Sequence, residues 1–205
     1  MMVERSWAEI NLAALERNLR LIKDSLPPRV RYISVVKADA YGHGILPTVA
    51  RLMQSNIDLF AVANVKEASE IREMGSGWPI LILGPLLDEE NEALLELDLI
   101  PTLSSQIELD RLCALSRKHQ KKIPAHLKID SGMGRYGIWR EDAIELINEI
   151  KKCPEIKLCG ALTHFAQPSD LEFTAEQRAH FLSILDQTQI HKENDFWVHA
   201  DNSSS

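Results

Sequence analysis

A single lysine and the turn after it carry the clearest chemical signal in this chain of 205 residues. Lys37 ends an apolar stretch, and Tyr41, Gly42 and Gly44 come shortly after it. A strand here would deliver the amine to its carboxyl end, beside a glycine turn whose backbone can approach an anion. A dry amine in that place can form a Schiff base with an aldehyde that bears a phosphate. A solvated lysine at the end of a core strand shows the same local pattern, so these residues leave both interpretations open.

A second group of polar residues lies on one predicted strand. His126, Lys128 and Asp130 alternate with Leu127 and Ile129, and this period of two puts the three polar side chains on one face. In an α/β barrel the outer face of a strand meets helices, so a polar face points inward, near the catalytic end. An edge strand with a solvated face is the alternative.

The elements that must position these residues follow a repeating strand–helix order, which favours a parallel sheet with crossover helices. Strands are predicted at 31–37, 59–62, 80–83, 99–102, 124–130, 158–162 and 196–199. Helices are predicted at 44–55, 64–74, 89–97, 105–119, 140–152 and 174–190. Two of these helices open with a capping box, formed by Asn64 with Glu67 and by Ser105 with Glu108.

Two parallel architectures fit this order, an open doubly wound sheet and a (β/α)8 barrel. No G-x-G-x-x-G follows the first strand, which weakens the open sheet and favours the barrel. Seven predicted strands are one fewer than a barrel needs, so we expect an incomplete barrel. The unpaired strand edges of such a barrel would favour self-association.

Composition narrows the class of protein. The chain is 45% hydrophobic and 26% charged, with a net charge of -7 and no basic stripe, which argues against a nucleic-acid partner. No run of 18 apolar residues and no secretion signal is present, so no membrane association is expected. The three cysteines lie outside any C-x-x-C spacing, which fits a reduced, cytoplasmic setting with buried thiols. The seven histidines are scattered, so no metal site is expected, and no hydrolase or P-loop motif appears.

The ten residues Val35–Gly44 resemble the cofactor-lysine signature of alanine racemases, which bind pyridoxal phosphate (PLP) on an α/β barrel. Further segments match the same family in the same order: Ser6–Leu12, His126–Arg135, Leu162–Ala166 and Asn202-Ser203. The resemblance covers essentially all 205 residues, although members of the family are nearly twice as long. It therefore implies that residues 1–205 form one N-terminal PLP-binding barrel domain, without the last strand–helix unit and the C-terminal β domain.

The resemblance also implies roles for single residues. Lys37 would bind the aldehyde of PLP and then act as one of two acid–base groups at the α-carbon. Tyr41 and Ser203 would bind the cofactor phosphate. Arg135, whose planar guanidinium suits oxygen acceptors, would contact the substrate carboxylate or the phenolic oxygen of the ring. His164 would lie near the ring, next to a family arginine that falls beyond residue 205.

One further lysine matches a modified position of the family. Lys128 corresponds to a lysine that is carbamylated in some members, and the carbamate would hold Arg135 in place.

The activity implied by the resemblance is the PLP-dependent interconversion of L- and D-alanine, which supplies D-alanine for cell-wall peptidoglycan. The enzyme is expected to be a cytoplasmic homodimer, because the family takes its second acid–base group from a tyrosine of the partner's C-terminal domain. The tyrosines of this chain, Tyr32, Tyr41 and Tyr136, do not match that residue, so the 205-residue chain is expected to be inactive alone. The alternative is a non-catalytic PLP-binding barrel that carries the cofactor or regulates its supply.

Overall fold

A computed structural model describes residues 6–200 of the chain. Helices and strands alternate, and every strand pair within the described residues is parallel. The chain divides into two compact units. The first contains residues 6–82 and Leu97–Leu99, and the second contains Leu83–Glu96 and residues 100–200. Within residues 6–200, no helix has both the length and the apolar character needed to cross a bilayer.

The first unit contains a three-stranded sheet in the order β1-β2-β3. Its elements are α1 (Leu12–Ser25), β1 (Ile33–Val35), α2 (Lys37–Gly42), α3 (Ile45–Met53), β2 (Leu59–Val62), α4 (Val65–Glu73) and β3 (Ile80–Ile82). Every residue of β2 and β3 is buried. Strand β1 is shorter than predicted, and its last residue, Val35, is 39% exposed. Among the described strands β1 pairs only with β2, which explains why its apolar run is not fully buried.

The second unit contains a five-stranded sheet in the order β4-β5-β7-β8, with β6 paired to the end of β5. Its strands are β4 (Thr102–Leu103), β5 (Ile123–Asp130), β6 (Ile138–Trp139), β7 (Ile156–Leu162) and β8 (Trp197–His199). Its helices are α5 (Asn91–Glu96), α6 (Gln106–His119), α7 (Ala143–Lys152) and α8 (Leu171–Thr188), with short 3-10 turns at Asp88–Glu90 and Ile190–Lys192. Strand β5 has a neighbour on each side, so the alternative of an edge strand is wrong.

Each of the seven predicted strands overlaps a strand of the structure, and each predicted helix overlaps a helix. The pattern did not predict α1, α2 or the two-residue strand β6. Helix α8 begins three residues earlier than predicted, because the Asp170 carboxylate accepts the N–H of Phe173 at 3.0 Å and caps the helix at that point.

Candidate functional site

The turn after β1 has an unusual backbone. Ala38, Asp39, Ala40 and Tyr41 all have φ between 53 and 56°, so the middle of α2 is a left-handed turn built from four non-glycine residues. Left-handed helical geometry costs about 1–2 kcal/mol per residue, and it persists only where the surroundings hold it. Lys37 stands immediately before this turn and is partly buried. The backbone strain is therefore concentrated directly beside the predicted reactive amine.

A glutamate of α4 holds the start of the left-handed turn. The Glu67 carboxylate accepts the N–H of Ala38 through Oε1 and the N–H of Ala63 through Oε2, each at 2.8 Å. The side chain of Asn64 accepts the N–H of Glu67 at 3.0 Å, as a helix cap does. The predicted capping box is therefore wrong in its second half, because Glu67 reaches past Asn64 and ties the residue after Lys37 to the end of β2.

The end of the turn is held by Asp39 and leaves two groups accessible. The Asp39 side chain accepts the N–H of Ile45 at 2.6 Å, and its carbonyl accepts the N–H of Gly44 at 3.0 Å. Gly42 has φ +79°, and a Cβ placed there would meet no atom within 4 Å. The Tyr41 side chain is 59% exposed. A phenol hydroxyl and an open stretch of backbone are thus both available to an anion.

In the second unit, the three polar residues of β5 are buried, with exposures of 0% for His126, 8% for Lys128 and 5% for Asp130. The Nδ1 of His126 and the Nε2 of His199 lie 2.9 Å apart and share a hydrogen bond. Burial, followed by the charge of Lys128, lowers the pKa of His199 to about 4. His199 is therefore neutral at neutral pH. The ring of His126 packs directly against Gly160, because a Cβ at Gly160 would lie only 2.6 Å from the ring.

Asp130 organises the glycine loop that follows β5. Its Oδ1 accepts the N–H groups of Gly132, Met133 and Gly134 at 2.9, 2.7 and 3.2 Å, and its Oδ2 accepts that of Arg135 at 2.7 Å. Burial acts to raise the pKa of Asp130, but the four donors outweigh it and the pKa is lowered. The carboxylate therefore remains ionised and fixes the backbone of Arg135, while the Arg135 side chain is exposed.

Tyr136, next to this loop, is braced by a second glutamate. Its hydroxyl lies 2.8 Å from the carbonyl oxygen of Thr102 and 3.1 Å from Oε1 of Glu108. The Oε2 of Glu108 accepts the N–H of Ser104 at 2.6 Å, so this predicted capping box also reaches one residue further back. The Lys128 amine lies 5.9 Å from the centre of the Tyr136 ring. Burial and the charge of Glu108 raise the pKa of Tyr136, so its hydroxyl keeps its proton.

His164 lies in the loop after β7, where a buried glutamine of α8 holds the backbone. The Nε2 of Gln177 donates to the carbonyl of His164 at 3.4 Å, and its Oε1 accepts the N–H of Ala166 at 3.0 Å. The hydroxyls of Ser131 and Thr163 share a hydrogen bond of 2.8 Å. Both loops that carry predicted site residues in this unit are thus fixed from within the unit.

The two units divide the predicted site residues between them. Lys37 and Tyr41 lie in the first unit, whereas Lys128, Arg135 and His164 lie in the second. Ser203 lies outside the described residues. Sequence reasoning identified Glu67 and Glu108 only as capping-box residues and missed that each also holds a neighbouring segment. It did not identify Gln177, which holds the loop after β7.

Comparisons with known proteins agree on one family. The family model described as "Alanine racemase, N-terminal domain" matches residues 10–205. An alanine racemase of Halothermothrix orenii is 38% identical over 183 residues, which are 88% of this chain and 48% of that protein. Alanine racemase 2 of Clostridium acetobutylicum is 34% identical over 203 residues, 98% of this chain and 51% of its own length.

A solved alanine racemase of Clostridium difficile 630 superimposes with a TM-score of 0.92 at 33% identity and covers 100% of this chain and 57% of its own. The chain spans about half the length of the curated relatives that it matches. These likenesses confirm the predicted fold class, an incomplete α/β barrel like that of the alanine racemase N-terminal domain. The chain belongs to the alanine racemase N-terminal domain family.

Proposed function

We propose that this chain is the PLP-binding part of an enzyme that interconverts L- and D-alanine. The family match over residues 10–205 supports the reaction class, and the similar proteins are named alanine racemases. The observation that carries the proposal is the position of Lys37, between the end of β1 and a strained turn that Glu67 holds. Family membership also leads us to propose a cytoplasmic homodimer that supplies D-alanine for peptidoglycan.

The residues of the first unit fit the aldehyde and the phosphate of PLP. Lys37 offers a partly buried amine for covalent attachment of the aldehyde. Tyr41 offers an exposed hydroxyl, and Gly42 leaves its backbone open, so a phosphate can approach both. We propose that Ser203 is a second phosphate ligand. When bound, PLP supplies a ring that stabilises negative charge on the α-carbon of an amino acid.

Residues of the second unit are proposed to recognise the ring and the substrate. The Arg135 backbone is fixed by Asp130 while its guanidinium is exposed, which suits an oxygen acceptor such as a phenolate or a substrate carboxylate. The backbone of His164 is held by Gln177, and we propose that its imidazole contacts the ring region.

We propose that Lys128 carries a carbamate. The amine would then become an anion on a buried strand, which can pair with the guanidinium of Arg135. The test is the intact mass of the protein, recorded under non-acidic conditions from an untreated sample and from a sample first treated with acid. A carbamate adds the mass of carbon dioxide, and acid removes it. An unchanged mass in both samples would contradict the modification.

Inversion at the α-carbon requires one group on each side of it. We propose that the Nζ of Lys37 moves the proton on one face. Within this chain Tyr136 is a poor second group, because its hydroxyl is engaged by Thr102 and Glu108 and its pKa is raised. We therefore propose that a tyrosine of a partner subunit serves the other face, and we expect no racemisation from the 205-residue chain alone.

The test is covalent trapping of the cofactor on the chain. PLP is added, the linkage is reduced with borohydride, and the modified peptide is identified by mass spectrometry. We expect one label, at Lys37, and none in Lys37→Arg, which keeps the positive charge but loses the primary amine. A label spread over surface lysines, or an equal label in the variant, would contradict the proposal. Turnover of alanine by the 205-residue chain would contradict the proposal that the second acid–base group lies outside this chain.

A further inference from the structure

Two thiols and a carboxylate meet in the second unit, on residues to which the proposed function gives no role. The Sγ atoms of Cys113 and Cys153 and a carboxylate oxygen of Glu155 all lie within 4.8 Å of one another. Cys113 is buried on α6, Cys153 caps the end of α7, and Glu155 immediately precedes β7. The fold thus brings together three ligand atoms from two segments that are 40 residues apart in the sequence.

These atoms lie within 4.8 Å of one another, close enough for small side-chain rotations to bring them onto one cation. In a tetrahedral zinc site, bonds of about 2.0–2.3 Å place neighbouring ligand atoms about 3.5–3.8 Å apart. A disulfide would instead require an S–S distance of about 2.05 Å and would give the carboxylate no role. The presence of Glu155 beside both sulfurs therefore favours a metal ion over an oxidised pair.

The backbone that carries two of these groups is held in place. The N–H of Cys153 donates to the carbonyl of Ile150 at 3.0 Å. The carbonyl of Glu155 accepts the N–H of Ile123 at 2.9 Å and the hydroxyl of Ser116 at 3.2 Å. Because the backbone of both residues is already fixed, only their side chains lose conformational freedom when a ligand binds.

The charge in this cluster is compatible with a cation. The carboxylate of Glu155 lies beside both sulfurs. A divalent ion would bind the sulfurs as thiolates, and each thiol would release its proton to solvent. Arg117 pairs with Glu155 at 3.3 Å, but its side chain is 64% exposed and can keep one carboxylate oxygen or turn to solvent.

We propose that Cys113, Cys153 and Glu155 form a zinc site with a fourth position open to water. Two thiolates favour zinc over magnesium and calcium, which prefer oxygen ligands. Two S–H bonds lose their protons to solvent, and two Zn–S bonds and one Zn–O bond form. The ion would join α6 to the segment between α7 and β7, so the site has a structural role that does not depend on the proposed function.

The test uses the reduced 205-residue chain and Co²⁺, which reports thiolate ligands by a charge-transfer absorption band. The chain is titrated with Co²⁺ and then with Zn²⁺, which should displace it. The variants are Cys113→Ser, Cys153→Ser and Glu155→Gln. Cys159→Ser is the matched control, because the Cys159 thiol contacts the carbonyl of Ala125 and lies outside the cluster. Circular dichroism establishes that each variant is folded.

We expect one equivalent of metal and a thiolate band in the wild-type chain and in Cys159→Ser. Cys113→Ser and Cys153→Ser should each bind at least tenfold more weakly and lose about half of the band, whereas Glu155→Gln should weaken binding and keep the band. If Cys113→Ser fails to fold, Cys153→Ser still tests the proposal, because Cys153 is only partly buried and its replacement should disturb the fold less. Three results would each overturn the proposal: no thiolate band in the wild type, an unchanged band in both Cys113→Ser and Cys153→Ser, or a Cys113–Cys153 disulfide that forms in place of metal binding.

Discussion

The two turns that carry candidate site residues, one after β1 and one after β5, are held in opposite ways. The turn after β1 places four non-glycine residues in left-handed geometry and depends on a carboxylate from a different helix, Glu67. The turn after β5 uses glycines at positive φ, Gly132 and Gly134, and is organised by Asp130 at the end of its own strand. The strained first turn is therefore held by a residue of another helix, whereas the second turn is held by the last residue of the strand that precedes it.

The two turns nevertheless share one device. Glu67 and Glu108 each stand at the third position of a helix and reach one residue beyond the cap. Each also braces a neighbouring segment, Ala38 in the first unit and Tyr136 in the second. A helix-start motif thus serves as a support for the loop on an adjacent strand.

The largest effect is expected at Asp130, because four N–H donors depend on it. Asp130→Ala should lower the free energy of unfolding by about 3 kcal/mol, since a carboxylate with several donors is lost. Asp130→Asn should cost less, because one acceptor oxygen remains. Denaturant unfolding of both variants measures this, and a loss below about 0.5 kcal/mol in the alanine variant would mean that the loop does not depend on the carboxylate.

The same residue predicts a pH dependence. The pKa of Asp130 is lower in the folded chain than in the unfolded chain, so its contribution to stability is complete above the unfolded value of about 3.9. That contribution is lost as the pH falls through the lower, folded pKa. The stability difference between wild type and Asp130→Asn should therefore be constant from pH 5 to 7 and shrink in acid. A difference that grows in acid would contradict this sign.

A smaller loss is expected on β7, the strand that pairs with the strand carrying the second turn. Gly160→Ala would place a Cβ 2.6 Å from the buried ring of His126 and should cost about 2 kcal/mol through overpacking. The double variant with His126→Ala separates the causes, because removing the ring should relieve most of the added cost of the Gly160 change. Strictly additive losses in the double-mutant cycle would show that the ring is not the obstacle.

The fourth prediction tests whether Glu67 supports the first turn. Glu67→Gln replaces one acceptor oxygen with an NH2 group, so the N–H of either Ala38 or Ala63 loses its partner. We expect a loss of about 1–2 kcal/mol and faster hydrogen exchange at residues 38–41. Labelling of Lys37 by PLP should slow at least tenfold. Glu73→Gln, an exposed position on the same helix, is the matched control and should change neither exchange nor labelling.

Local patterns predicted the elements but not how distant elements support one another. Alternation along β5 predicted the shared face of His126, Lys128 and Asp130, because a period of two is a property of the strand itself. The left-handed turn was not predicted, since Ala38 and Ala40 carry no signal for positive φ. Glu67 reaches Ala38 only because β1 and β2 pair in register, with Val35 opposite Ala61, which no local pattern encodes.

The thiol cluster illustrates the same limit. The sequence predicts no metal site because the histidines are scattered, and its cysteines, which lie outside any C-x-x-C spacing, are interpreted as buried thiols. The proximity of the Cys113 and Cys153 side chains depends on where α6 and the end of α7 lie in the folded unit.

Ser203 falls outside the described residues, so its phosphate role stays a prediction.

The smallest expected effect separates strain from ligand binding in the two turns. Gly42 has φ +79° and Gly134 has φ +69°, and a Cβ at either would meet nothing within 4 Å. An alanine at either position should therefore cost about 1 kcal/mol of stability through backbone strain alone. Of the two added methyl groups, only the one in Gly42→Ala would lie where the phosphate is proposed to approach.

The phosphate can be tested by comparing two ligands, pyridoxal phosphate and pyridoxal, which lacks the phosphate. Gly42→Ala should reduce the preference for the phosphorylated ligand at least tenfold, because only that ligand needs the open backbone beside Tyr41. Gly134→Ala should leave the preference unchanged while it loses similar stability, which rules out strain as the cause. Equal weakening of both ligands in Gly42→Ala would place the phosphate elsewhere, and the first turn would then support only the lysine.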